Sequence, residues 1–120
     1  MENLQEIAVK ASAILEVVEN YQFELGRLSN EVVESYGYKA LTEFAKEIEG
    51  VGGVRRSPST LRVYAYIWKV SNKLGLPKDL LFSGCQRIVF SDDPEKYARL
   101  AKAGATNEEI RRAIYEDKKA

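Results

Sequence analysis

The chain has 120 residues, 18 basic and 18 acidic side chains, and no histidine. This length suits one domain, and the charged (30%) and hydrophobic (45%) fractions are typical of a soluble globular protein. No apolar run approaches the roughly 20 residues that span a bilayer, so we expect no membrane partner. The acidic N-terminus, residues 1–6, does not resemble a signal peptide, and a single cysteine, Cys85, suits the reducing cytoplasm.

The charges are unevenly distributed along the chain. Residues 1–50 carry ten acidic and four basic side chains, a net charge of −6. Residues 51–91 carry seven basic side chains against one acidic, a net charge of +6, and residues 92–120 are balanced. A basic centre between acidic and neutral ends indicates a local anionic partner rather than general adhesion.

The first third of the sequence predicts a long helix over residues 1–36. Apolar or small residues recur at alternating spacings of three and four: Leu4, Ile7, Ala11, Ile14, Val18, Tyr21, Leu25, Leu28 and Val32. This heptad pattern fits a dimerisation helix, and it also fits a long helix packed on its own domain. Further apolar residues at Ala8, Leu15 and Val33 widen the stripe. Gly26 is a weak point at which the pattern can divide into two helices.

Residues 38–74 predict two helices joined by a basic turn. The first runs from Tyr38 to Glu49 and the turn from Gly50 to Arg56. Ser57 is a good N-cap for a second helix that begins at Pro58 and ends at Leu74, before Gly75. The expected buried face of this helix comprises Leu61, Tyr64, Ile67 or Trp68, Ser71 and Leu74. A second stripe is polar, basic and aromatic, and comprises Ser59, Arg62, Tyr66, Lys69 and Lys73.

Residues 77–120 predict further short helices. Between Pro77 and Phe90 the pattern fits a short strand at residues 87–90 or a short helix, and the helix better suits an otherwise helical chain. The apolar residues expected to be largely core are Leu80, Leu81, Phe82, Ile88, Val89 and Phe90. Asp93 and Thr106 are predicted N-caps of two final helices that form a closing hairpin. The predicted fold is therefore an all-α single domain of five to six helices.

Few residues are candidates for catalysis. Without histidine the chain has no Ser-His-Asp or Cys-His system and no histidine-ligated metal. Residues 50–53 are glycine-rich but lack the Gly-Lys-Ser/Thr ending of a phosphate-binding loop. Two acidic pairs, residues 92–93 and 108–109, lie at predicted helix starts, where capping explains them. We therefore predict a protein that is not an enzyme, with no catalytic residue, cofactor, metal or small-molecule substrate.

The strongest functional pattern is a set of basic, hydroxyl and tyrosine residues in and just before the predicted helix from Pro58 to Leu74. Arginine recognises guanine bidentately, while Ser, Thr and Lys commonly bind phosphates. The alternative is an ordinary solvated helix face, but such faces usually mix charges of both signs, and residues 51–78 contain no acid. The predicted DNA-binding residues are Arg55, Arg56, Ser57, Ser59, Thr60, Arg62, Tyr66, Lys69 and Lys73.

A resemblance follows from two runs of residues. Ala40-Leu41-x-x-Phe44-Ala45-x-x-Ile48 and then Ser57-x-x-Thr60-Leu61-x-x-Tyr64 resemble the helix-turn-helix of phage and plasmid DNA-binding proteins of the repressor and partition type. The resemblance covers about 30 residues, and its predicted turn of seven residues is longer than the usual three or four. In that family an alanine of the first helix packs against a hydrophobic residue of the second. The resemblance implies a dimer on a palindromic or repeated DNA site.

Together these patterns predict a non-enzymatic, cytoplasmic homodimer that binds double-stranded DNA. The predicted role is that of a helix-turn-helix transcription regulator or a partition or replication factor. Two alternatives use the same features. One is a helical protein–protein interaction module whose working surface is the heptad helix. The other is an RNA-binding accessory protein that uses the basic face.

Overall fold

The computed structural model describes residues 3–120, which form six α-helices and no β-strand, so the all-α prediction is confirmed. The helices are α1 (Leu4–Tyr36), α2 (Ala40–Gly52), α3 (Pro58–Leu74), α4 (Phe82–Val89), α5 (Pro94–Lys102) and α6 (Asn107–Lys119). Met1 and Glu2, where the acidic N-terminus begins, lie outside the described residues.

The first helix is long and unbroken. The Asn3 side chain caps its start by accepting a hydrogen bond of 2.9 Å from the Glu6 amide. The helix continues for 33 residues and passes through Gly26 without a break. It ends at Gly37, whose φ of 87° is accessible to glycine and whose amide donates to the Val33 carbonyl.

Gly26 lies where α1 and α3 come closest. A Cβ added there would lie 2.6 Å from the Tyr64 carbonyl oxygen and 3.2 Å from the Trp68 Cβ. Two further contacts join the same parts of the chain: Tyr21 of α1 with Arg56, which precedes α3, and Glu34 of α1 with Lys69 of α3. The missing side chain of Gly26 lets the backbones of α1 and α3 approach each other.

The turn between α2 and α3 is shorter than predicted. The sequence predicts that the helix ends at Glu49, but α2 continues to Gly52 and leaves five residues, 53–57, before α3. Gly53 ends α2 in a left-handed conformation (φ 72°), which glycine adopts without strain. The bounds of α3 agree with the prediction, from Pro58 to Leu74.

The apolar side chains form two adjacent clusters. The smaller joins α1, α2 and α3 and comprises Leu25, Leu41, Ala45 and Leu61. The larger joins α3 to the C-terminal helices and comprises Ile67, Leu80, Phe82, Cys85, Ile88, Tyr97, Ala101, Ile110 and Ile114. Phe82 is fully buried and meets the rings of Phe23 and Tyr64 edge-on at 5.3 and 5.1 Å. Because α3 contributes to both clusters, it is the central helix of the domain.

Residues 82–89 form the short helix that the sequence favoured over a strand. Four of the six residues predicted to be core are buried, but Leu81 and Phe90 are 42% and 55% exposed. That part of the prediction is wrong. The two residues flank α4 at its ends, whereas its buried face is formed by Phe82, Cys85 and Ile88.

The last two helices form the predicted closing hairpin. Thr106 and Glu109 exchange side-chain-to-backbone hydrogen bonds of 3.0 and 3.1 Å, which complete a capping box. Asp117 of α6 accepts hydrogen bonds from Lys96 and from the buried Tyr97 hydroxyl of α5. The bond to Asp117, together with burial, raises the pKa of Tyr97 to about 12. Bonds from Lys96 and Tyr97 lower the pKa of Asp117, so this contact stays intact at neutral pH.

The contact at Gly26 predicts opposite effects for two glycine substitutions. Gly26→Ala should lower the free energy of unfolding by about 1–3 kcal/mol, because the new methyl group would push α3 away from α1. Gly50→Ala is the control, since Gly50 is also helical but has open space around it. It should raise the free energy of unfolding by about 0.5–1 kcal/mol. Urea denaturation measures both, and equal stabilisation by the two variants would contradict the close approach.

Candidate nucleic-acid interface

The predicted second stripe is the solvent-exposed face of α3. Its five residues, Ser59, Arg62, Tyr66, Lys69 and Lys73, are all exposed. On the opposite side Leu61, Ile67 and Ser71 are buried, with Tyr64, Trp68 and Leu74 half-buried, as predicted. From Ser59 to Lys73 the stripe extends about 21 Å along the helix, at about 1.5 Å per residue. The α3 helix therefore presents a continuous face with three basic and no acidic residues of its own.

The hydroxyl groups at the start of α3 are used for capping. The Ser57 Oγ accepts a hydrogen bond of 3.1 Å from the Thr60 amide, and the two hydroxyl oxygens lie 2.9 Å apart, within hydrogen-bonding distance. This arrangement stabilises the first turn of α3. It leaves Ser59 as the exposed serine of the stripe, with Thr60 half-buried.

The two arginines before α3 differ in their surroundings. Arg55 is exposed, whereas the Arg56 guanidinium lies over the Tyr21 ring of α1, 5.6 Å from its centre. Arg56 also donates a hydrogen bond of 3.0 Å to the Arg55 carbonyl. A groove of about 240 Å³ beside these arginines separates the start of α3 from α2 and also contains Glu49. Arg56 is thus directed toward α1, and Arg55 remains accessible at the end of the stripe.

Two of the basic stripe residues contact the junction between α1 and α2. The Arg62 guanidinium lies 4.6 Å from the centre of the Tyr38 ring, an attractive cation–π contact. The Lys69 ammonium lies 3.5 Å from a carboxylate oxygen of Glu34, and both side chains are 58% exposed. Such exposed pairs are weak and screened by salt. Glu34 is nevertheless an acid at the edge of the basic face.

An exposed aromatic pair lies beside the same face. Tyr66 stacks on Phe90 with ring centres 5.8 Å apart and planes inclined by 25°. The sequence pattern did not identify Phe90 or Tyr38 as part of this surface. Both are uncharged, and neither belongs to α3, so a charge count and a helical repeat within α3 cannot detect them.

The packing between α2 and α3 has one feature that the resemblance implies. Ala45 of α2 lies in the same small cluster as Leu61 of α3, so an alanine of the first helix packs near a hydrophobic residue of the second. Counted without the Ser57 cap, as in the prediction, the observed connection is the four residues 53–56 instead of the predicted seven, 50–56, and the usual motif has three or four.

The single thiol of the chain is buried in the larger cluster. Cys85 is 1% exposed, and its thiol donates a weak hydrogen bond of 3.4 Å to the Leu80 carbonyl. Burial raises the pKa of this thiol to about 11, so it remains protonated at neutral pH and is a poor nucleophile. Between residues 3 and 120, no three acidic or cysteine side chains are grouped closely enough to hold a metal ion.

Comparisons with protein-family models, curated proteins and solved structures gave no significant match to this chain. A functional interpretation therefore depends on the geometry and charge of these residues.

Two serines of the predicted site should respond differently to substitution. Ser57→Ala should lower the free energy of unfolding by about 1 kcal/mol, because the Thr60 amide would lose its capping acceptor. Ser59→Ala, two residues further on, removes an exposed hydroxyl and should change stability by less than about 0.5 kcal/mol. Thermal or urea unfolding measures the difference. Equal losses in both variants would show that Ser57 does not cap α3.

Proposed function

We propose that the protein is a non-enzymatic DNA-binding protein that recognises duplex DNA with the exposed face of α3. The observation that supports this most directly is the grouping of Arg62, Lys69 and Lys73 on the solvent face of a central, well-packed helix. Lys and Arg side chains that neutralise phosphates supply most of the non-specific affinity for DNA. The role that fits best is that of a regulator or a partition or replication factor of the helix-turn-helix type.

The stripe suits contact with the major groove, which admits an α-helix. In a helix-turn-helix, residues near the start of the second helix face the base edges, and here these are Ser59 and Arg62. Arg62 is the residue we assign to base recognition, because its guanidinium can bind guanine through two hydrogen bonds. The Tyr38 ring restricts that guanidinium before binding. Arg55 and Lys73, at opposite ends of the stripe, are assigned to phosphates.

Lys69 has a different role in this proposal because Glu34 competes for its ammonium group. For Lys69 to bind a phosphate, its ion pair with Glu34 must break, or the phosphate must bind beside the negative charge of Glu34. An exposed pair of this kind opens at little cost. Glu34 would therefore weaken binding modestly and reduce its dependence on salt, because salt also screens the competing Glu34–Lys69 pair.

Single substitutions on the stripe should separate base contacts from phosphate contacts. In selection from a random duplex library followed by binding assays, Arg62→Ala should cost about 1–3 kcal/mol and relax the preference at one base position. Lys73→Ala should weaken all duplexes alike and reduce the salt dependence by about one counterion. Arg112→Ala is the control, because it removes an equal charge from exposed α6 and should leave binding unchanged. Absence of duplex binding at low salt, or equal loss in all three variants, would reject the proposal.

The Tyr66–Phe90 pair favours a second candidate, the binding of single-stranded DNA or RNA. Stacked aromatic side chains beside basic residues form a surface on which unpaired bases stack, and each base can contribute about 1–3 kcal/mol. Both rings are about half exposed, which leaves part of each accessible.

Phe90→Ala distinguishes these two candidates. If single strands are the ligand, this variant should weaken oligonucleotide binding by about 1–3 kcal/mol, because a stacking surface is lost. If duplex DNA is the ligand, the same variant should leave duplex affinity close to that of the parent, since Phe90 lies outside α3. Fluorescence anisotropy with matched single and double strands at two salt concentrations measures both.

A further inference from the structure

The first half of α1 projects from the rest of the domain. Every described residue from Asn3 to Val18 is exposed. The body of the domain first meets α1 at Glu19, whose carboxylate accepts a hydrogen bond of 3.0 Å from the Ser83 amide at the start of α4. Residues 4–18, which we call the arm, are about 22 Å long at about 1.5 Å per residue.

The arm carries a broad apolar stripe. Its large exposed side chains on this stripe are Leu4 (83% exposed), Ile7 (50%), Ile14 (65%), Leu15 (63%) and Val18 (47%), with the small Ala8 and Ala11 between them. Tyr21 continues the stripe just beyond the arm. A contiguous apolar surface of this kind marks a site of contact with another molecule.

The same stripe is already used further along α1. Beyond the arm, Leu25 lies in a cluster with Leu41 and Leu61, and Val32 packs against that cluster, whereas Leu28 between them is 41% exposed. The heptad repeat is continuous through both halves of the helix. The arm therefore continues a stripe that packs in part against other helices of this chain, while within residues 3–120 no helix covers the arm itself.

We propose that the arm is covered by the arm of a second copy of this chain, in an antiparallel helix pair. The register places Leu4 opposite the partner's Tyr21, Ile7 opposite the partner's Val18 and Ala11 opposite the partner's Ile14. From Leu4 to Tyr21 the spacings between stripe residues are 3, 4, 3, 4 and 3, the same from either end. Each stripe residue therefore meets a stripe residue when two copies pair in opposite directions. The resulting interface is two-fold symmetric and uses one patch on both chains.

The domain body selects the antiparallel orientation. Beyond Tyr21, α2 and α3 of the same chain occupy the stripe side of α1. In a parallel pair both bodies would lie between the two helices at the same level and would collide. In an antiparallel pair each arm ends where the body of its partner begins, so both stripes are covered without a clash.

The area and the charge of the arm both fit a second copy. The large side chains of the stripe would bury on the order of 600 Å² per chain, at roughly 100 Å² for each fully buried aliphatic side chain. This approaches the roughly 800 Å² per partner of a standard protein interface.

A lipid surface is a poorer match, because Glu6 and Glu16 outnumber the single basic residue of the arm, whereas helices that lie on membranes are rich in Lys and Arg. None of the helices between residues 3 and 120 has the length and apolar character needed to cross a bilayer.

The antiparallel pair fixes the separation of the two α3 helices. Gly26, where α3 touches α1, lies 13 to 14 residues from the midpoint of the pair, so the two contacts would be about 40 Å apart. Successive major-groove sites on one face of DNA are about 34–36 Å apart. The significance of this match depends on the proposed DNA binding, but the dimer itself does not, and its test needs no nucleic acid.

The test compares two substitutions in the arm that differ only in the face they occupy. Ile14 lies on the stripe and Val9 on the opposite face, and both are 65% exposed. Size-exclusion chromatography with light scattering should give a dimer for the parent chain and for Val9→Glu. Ile14→Glu should weaken dimerisation at least tenfold, while its circular dichroism and unfolding midpoint remain those of a folded domain. A monomeric parent at 100 μM, an assembly larger than two chains, or equal effects of the two variants would overturn the proposal. So would a monomer that binds phospholipid vesicles through Ile14.

Cysteine cross-linking tests the orientation separately. The native Cys85 is buried, so new exposed cysteines react selectively. In the antiparallel register Ile7→Cys and Val18→Cys should form disulfides with each other when the two variants are mixed, and neither should cross-link with itself. Two copies of residue 7 would be about 17 Å apart along the pair, well beyond the roughly 7 Å limit for a disulfide. Self-cross-linking of Ile7→Cys would indicate a parallel pair and would overturn the proposed orientation.

Discussion

The close contact between α1 and α3 determines how the rest of this domain is arranged. At Gly26 the backbone of α1 lies against the Tyr64 carbonyl, an approach that a single methyl group would prevent. This contact holds α3 in the centre of the domain, with the small cluster on one side and the larger cluster on the other. Because α3 is packed along its inner faces, only one face remains for solvent, and that face carries the basic residues.

The same long helix gives the domain two separate surfaces. Its second half, from Glu19 to Tyr36, packs against α2, α3 and α4, whereas its first half is exposed on all sides. An isolated helix of about 15 residues is marginal in water, since its stability depends on packing of its apolar face. Continuity with the packed half supports the arm, and a second copy of the arm would supply the packing that this chain lacks.

The sequence predicted the parts of the structure that depend on local rules. The Ser57 and Thr106 caps, the left-handed Gly75 and the apolar face of α3 follow from the chemistry of residues close in the chain. Two features depend on contacts between residues distant in the sequence and could not be predicted. Within α1 alone, Gly26 reads as a weak point, and only the tertiary contact with Tyr64 explains the glycine. Phe90 reads as a core residue because it is apolar, but it stacks on the exposed Tyr66 of α3.

Charge would also determine how a dimer of this kind meets DNA. The α1 helix carries an acidic excess, in which Glu24 and Glu31 already pair with Arg27, whereas the face of α3 is basic. An acidic helix is repelled by phosphates, so the arms would lie away from the duplex while the two α3 faces approach it. In this proposed arrangement the apolar stripe would join the two chains, and the acidic residues around it would disfavour orientations that bring α1 close to the phosphates. In the proposed assembly, the separation of apolar, acidic and basic residues onto different faces would give one helical domain both a means of pairing and a direction of approach to DNA.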